Sequence, residues 1–236
     1  MKRPIITDFT KLKDRANEIN IKENAEEVSK VLVNLRDTVL KNNLVGLSAP
    51  QIGKNLRIIA MNFNGDIRLF INPMITKFDG IHASIEKDPS LPDREFIVPR
   101  YDRVLVTYQT PIGKPETNQF EGIASEVVQQ LIQTLDCIYL DDLGLEIFDD
   151  FKQASKEEQD EVINYYMNHL KTQLDEVNKD IASSDELTKT SKAIEFMTKV
   201  QTGEIEQEKS TIPMNREQRR TMNKLAKKLS KKKVSK

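Results

Sequence analysis

Gly46-Leu47-Ser48-Ala49-Pro50-Gln51-Ile52-Gly53 stands at the junction of two kinds of pattern. On its N-terminal side, residues 24–42 place Val28, Val31, Leu32, Leu35, Val39 and Leu40 at helical spacing. Asn24 is the expected N-cap, with Glu27 three residues later, and Asn42-Asn43 is the expected stop. On its C-terminal side the pattern becomes β-like. Residues 56–62 and 68–71 are short apolar runs separated by Asn64-Gly65, a strong hairpin signal. Residues 96–99 and 104–108 follow as strands, and 111–115 reads as a turn. A second helical pattern covers 123–140 through Ile123, Val127, Val128, Leu131, Ile132, Leu135 and Ile138. Strands and helices do not alternate, so the fold class is α+β rather than βαβ.

The texture changes near residue 150. Ser155 and Glu158 form a capping box. Val162, Ile163, Tyr166, Met167, Leu170, Leu174, Val177 and Ile181 then make one apolar stripe. Ser184-Asp185 restarts it and Gly203 closes it, which predicts an antiparallel helical pair. The expected division is a domain over 1–148, a helical extension over 149–203, and a linker with a basic tail over 204–236.

The chain has 236 residues, of which 38% are apolar and 6% aromatic, enough for one sizeable core plus an appendage. Its single cysteine, Cys137, excludes an internal disulfide and a Cys-only metal cluster. The first fifteen residues lack the apolar run of a signal peptide, and no stretch approaches the length of a membrane span. The expected location is the cytoplasm, without membrane contact. The net charge of −1 hides an asymmetry. Residues 214–236 carry ten Lys/Arg against Glu217, a net of +9 on an otherwise acidic chain. Arg216, Arg219, Arg220, Lys224, Lys227, Lys228, Lys231, Lys232 and Lys233 are the candidate partner-binding residues of this arm.

The 46–53 stretch resembles the first signature of peptide deformylases, G-x-G-L-A-A-x-Q. Glu86-Lys87-Asp88-Pro89-Ser90-Leu91-Pro92 sits where that family has E-G-C-L-S-x-P, with Val98-Pro99-Arg100 following in step. Gln129-Gln130-Leu131-Ile132-Gln133-Thr134-Leu135 sits where it has Q-H-E-x-D-H-L. The resemblance spans about residues 4–145 and implies the peptide-deformylase fold with a C-terminal helical extension. It also implies a divalent metal held by one Cys and two His, and a Glu that moves the proton.

By that resemblance the Cys position is Asp88, the His positions are Gln130 and Thr134, and the Glu position is Leu131. Pro89 stands where a backbone N–H is implied to stabilise the formyl oxygen, and Pro has none. Glu95 stands where a substrate-steering Arg is implied. Gly46 and Gln51 remain. Gly46, Gln51, Asp88, Pro89, Gln130, Leu131 and Thr134 are therefore expected to line a vestigial cleft with no catalytic residue, cofactor or metal. The expectation is a protein that is not an enzyme. It would be a deformylase-like pseudoenzyme serving as a structural, assembly or interaction scaffold, similar in composition to phage proteins and suited to a tail or baseplate. A protein partner is expected, with the ribosome or a nucleic acid as the alternative through the basic arm. A hydrolase of altered chemistry is the further alternative.

Plainer readings attach to the single residues. Gln51 is expected to bond locally, and Asp88, before Pro89, to be a loop or turn carboxylate. Cys137 reads as a small buried helical residue, and His82 and His169 as surface or packing residues. Asp141-Asp142 and Asp149-Asp150 read as solvated pairs.

Overall fold

A computed structural model describes residues 2–168, and these form two compact units. The first comprises Met1–His82, Asp88–Asp93 and Arg100–Tyr139. The second comprises Ala83–Lys87, Arg94–Pro99 and, among the described residues, 140–168.

The first unit is an antiparallel sheet with helices α1 (Ala25–Lys41) and α2 (Ile123–Leu135). Its strands are β1 (Gly46–Ser48), β2 (Ile58–Phe63), β3 (Asp66–Asp79), β6 (Arg103–Gln109) and β7 (Pro115–Glu121), hydrogen-bonded in the order β1-β2-β3-β6-β7. The Asn64-Gly65 signal makes the β2–β3 hairpin as expected. Phe63 pairs with Asp66, and both turn residues take positive φ, 53° and 95°, as a two-residue primed turn requires.

β2 is buried on both faces, which is why its sequence reads as an apolar run. Ile59 and Met61 pack with Val128, Leu131, Ile132 and Leu135 of α2. Ile58 and Ala60 pack with Val28, Val31, Leu35 and Val39 of α1. The expected α1 stripe is therefore the core face, except that Leu40 is 45% exposed while Asn34 and Thr38 are buried. Thr38 satisfies its hydroxyl on the Asn34 carbonyl, the local bond open to a helical threonine. Asn24 occupies the N-cap position without a side-chain cap bond.

α2 ends five residues earlier than the apolar pattern suggests. Cys137 takes φ 62°, and the Ile138 N–H reaches back to the Gln133 carbonyl at 2.9 Å, a left-handed helix stop. Cys137 thus lies just past the helix, partly buried, with its thiol on the Leu12 carbonyl. The stop is held by a buried ion pair. Arg57 donates to both carboxylate oxygens of Asp136, the C-cap residue, at 2.6 and 3.1 Å, and Arg15 adds a third bond at 2.9 Å.

β4 (His82–Asp88), β5 (Leu91–Arg100) and β8 (Leu145–Glu146) form a three-stranded sheet, of which Ala83–Lys87, Arg94–Pro99 and β8 belong to the second unit. α3 (Leu140–Leu143) and α4 (Asp149–Lys152) follow. Residues 156–168 are helical, opened by the expected capping box: the Ser155 N–H donates to Glu158 at 2.9 Å and the Glu158 N–H to Ser155 Oγ. Val162, Tyr166 and Met167 bury their side, and the Tyr166 hydroxyl donates to the Leu143 carbonyl at 3.0 Å. The second helix of the expected pair, the linker and the basic tail lie outside the described residues.

Candidate functional site

Three chain segments of the first unit bring the signature residues together. In the first, a single 3₁₀ turn over Pro50–Ile52 follows β1. Pro50 suits its first position because φ is already set and no N–H is needed there, and Gly53 at φ 75° ends it. This turn points Gln51, which is fully buried, at its surroundings. Gln51 Oε1 accepts from the Ser48 N–H at 2.9 Å and the Ser48 hydroxyl at 3.1 Å. Its Nε2 donates to Asp88 Oδ1 at 2.8 Å and to Ser90 Oγ at 3.2 Å. All the bonding capacity of the amide is used, so its orientation is determined.

Asp88, Pro89 and Ser90 form the second segment, the tight link between β4 and β5. Asp88 is 3% exposed, so it is not a solvated turn carboxylate. It does make a turn: the Ser90 N–H donates to Asp88 Oδ1 at 2.7 Å. That bond engages the first N–H after Pro89. α2 supplies the third segment. Gln130 Nε2 donates to Asp88 Oδ2 at 3.2 Å. Burial raises the Asp88 pKa above the ordinary carboxylate value, and the bonds from Ser90, Gln130 and Gln51 offset this only in part.

The remaining positions are apolar or committed elsewhere. Leu131 is buried against the sheet. A methyl group added at Gly46 would lie 2.5 Å from Leu131 Cδ1, so glycine is what lets α2 close on β1. The Thr134 hydroxyl donates to the Leu131 carbonyl at 2.8 Å. The donor set at the implied metal position is thus one carboxylate engaged by Gln51, Ser90 and Gln130, one amide and one hydroxyl turned to its own helix. These residues do not fit a Cys/His/His transition-metal site. Among the described residues, no cluster of three or more His, Cys, Asp or Glu side chains is arranged to hold a metal.

Other expectations need adjustment. Gln51 bonds across the fold as well as locally. Ser48 and Ser90 also belong to the cluster, and the signal for Ser90 in the sequence is Asp-Pro-Ser, an Asx-turn pattern. His82 is more than a packing residue, because both ring nitrogens face carboxylates. Asp141 accepts from Arg94 at 3.4 Å, whereas Asp149 and Asp150 are exposed as expected. In the second unit Glu95 does not stand as a lone reversed charge. Lys152 and Lys87 reach it at 2.7 and 2.5 Å and lower its pKa. His169 and the nine basic-arm residues lie outside the described residues. A depression of about 480 Å³ opens at the start of α1, lined by mixed charges including Arg3, Glu23, Glu27 and Lys54, and no signature residue contributes to it.

A five-stranded antiparallel sheet with α1 and α2, carrying three ordered signatures in one cluster, defines the α+β deformylase architecture. The model of the polypeptide deformylase family matches residues 3–144, and the chain belongs to that family. It is 31% identical over 121 residues to a peptide deformylase of Dictyoglomus turgidum, 51% of this chain and 79% of that one. It is 30% identical over 136 residues to that of Dictyoglomus thermophilum, 57% and 87% of the two chains. Among solved structures, a peptide deformylase from Thermotoga maritima aligns with a TM-score of 0.55 at 27% identity, covering 60% of this chain and 96% of that one. A class I type b peptide deformylase from Acinetobacter baumannii gives 0.55 at 26%, with 58% and 96% covered.

These relatives correct one expectation. The chain was expected not to be an enzyme, but the proteins it matches are named peptide deformylases, which are enzymes. The expectation rested on replaced side chains alone. A changed donor set speaks against one chemistry and does not establish the absence of turnover. Among the described residues, no helix is long and apolar enough to cross a membrane.

Proposed function

We propose that this member of the deformylase family works by binding, as an assembly or interaction scaffold in the cytoplasm. One observation carries the reading. Gln51, Asp88, Ser90 and Gln130 bond to one another where the family signatures meet, so the polar groups of the cleft tie three segments together. A satisfied, buried network of this kind rigidifies a fold. Recognition then falls to the outer surface and to the basic arm of residues 214–236, whose charge suits an acidic protein surface or phosphate groups.

A hydrolytic reading has its own support. Asp88 is a buried carboxyl with a raised pKa, the kind of group that holds a proton closer to neutral pH than an ordinary aspartate. The test separates the two. Full-length protein is assayed on formyl-methionyl peptides and, in parallel, used to capture partners from its native cell. The binding reading expects a salt-sensitive, stoichiometric partner that survives Asp88→Asn. Formyl-peptide hydrolysis that Asp88→Asn abolishes, with the fold intact, would replace it with the hydrolytic one.

A further inference from the structure

His82 lies at the start of β4, and each of its ring nitrogens meets a carboxylate. Nδ1 is 2.6 Å from Asp102 Oδ1, and Nε2 is 3.0 Å from Glu126 Oε1. Asp102 belongs to the link between β5 and β6. Glu126 belongs to the first turn of α2. We propose that His82 is a pH-sensitive clamp, holding the first turn of α2 to the β5–β6 link when its ring is an imidazolium.

The geometry carries this. A neutral imidazole has one N–H and one lone pair, so it can donate to only one of the two carboxylates. The other nitrogen would then present a lone pair to an anion. Only the imidazolium donates on both sides. The surrounding charge favours that form. Arg103 on β6 is paired with Asp79 of β3 and acts also on Asp102 and on Glu121 of β7. One guanidinium therefore faces three carboxylates, Asp79, Asp102 and Glu121, while Glu126 faces His82. Gly80 at φ 68° allows the approach, since a methyl group there would collide with Asp102.

Partial burial pulls the His82 pKa down. The hydrogen bonds and charges of Glu126 and Asp102 outweigh it, and the pKa is raised. A histidine bound more tightly to its proton in the folded state stabilises that state fully below its unfolded pKa, about 6.5. The contribution is lost as pH rises through the folded pKa. The clamp therefore grips at acid pH and releases on the alkaline side. Its effect lands on α2 one helical turn from Gln130, because Glu126 and Gln130 stand at i, i+4. The next bonds reinforce the coupling: Ser125 Oγ and Gln129 Nε2 both donate to the Tyr101 carbonyl at 2.9 Å.

The test is an NMR titration of full-length protein. The chain has two histidines, and the His82→Gln variant assigns their ring signals. The expected result is a His82 midpoint above 6.5 that moves down in Asp102→Asn and in Glu126→Gln. Thermal melts provide a second measure. Wild type should outlast His82→Gln at about pH 5.5, and the difference should vanish by about pH 8.5. A wild-type midpoint at or below 6.5, a midpoint indifferent to both carboxylate variants, or a melting difference independent of pH would each overturn the proposal. The midpoints remain decisive even if His82→Gln melts early for other reasons.

Discussion

Asp88 accepts hydrogen bonds from the Gln51 amide, the Ser90 backbone N–H and the Gln130 amide, in a site closed to water. Two outcomes follow at this residue. Asp88→Ala leaves the Gln51, Ser90 and Gln130 donors without their acceptor and should cost about 1–3 kcal/mol in denaturant unfolding. Asp88→Asn should cost much less, because its carbonyl keeps Gln51 and Ser90 while the Gln130 amide turns to accept from the new NH₂. The two variants also separate by pH. The Asp88 pKa is raised above 3.8, so the folded state holds this proton more tightly than the unfolded one. Its stabilising contribution is present below 3.8 and is lost as pH rises through the folded pKa. Melting temperature followed upward from acid pH should therefore fall further in wild type than in Asp88→Asn; parallel curves would contradict this.

At the scale of elements, α2 is fixed at both ends and along its length. Gly46 governs the middle. Gly46→Ala places a methyl group 2.5 Å from Leu131 Cδ1 and 3.0 Å from the Ala60 carbonyl, an overpacking that should cost about 1–3 kcal/mol. In a Leu131→Ala background the cost should shrink, and a double-mutant cycle reads the coupling directly. Strict additivity would show that β1 and α2 do not meet through this pair. Asp136 governs the far end. Both it and Arg57 are buried, so Asp136→Ala strands a guanidinium and should lose about 3–5 kcal/mol by equilibrium unfolding. A loss below 1 kcal/mol would mean that water reaches Arg57.

At the scale of the whole molecule, the proposed binding role of the basic arm predicts that folding and partner contact are separable. Ten of the chain's Lys/Arg fall in residues 214–236. Removing those residues should leave the melting temperature nearly unchanged while partner binding drops, and the binding that depends on them should weaken steeply with added salt. Unfolding of the truncated chain, or retention of every partner at low salt, would refute this division.

The fold class, both helices, the β2–β3 hairpin and the capping box were legible in the chain because each has a local cause. Helical spacing marks α1 and α2, Asn64-Gly65 tolerates positive φ, and Ser155 with Glu158 closes its own hydrogen bonds. The signatures were legible too, and they located Gln51, Asp88 and Gln130. Four strands, β1, β4, β7 and β8, were not. β1 is only three residues long and wholly buried, so it has no alternation to read. β4 alternates in the inverse sense: Ser84, Glu86 and Asp88 are buried while Ile85 is 56% exposed. Local hydropathy cannot predict a strand whose polar side faces inward, because that choice depends on distant partners. For Asp88 those partners are Gln51, 37 residues before it, and Gln130, 42 residues after it. The amino-acid sequence determined which groups could bond. Only the tertiary structure decided that they bond to one another, since burial leaves a carboxylate no water to turn to.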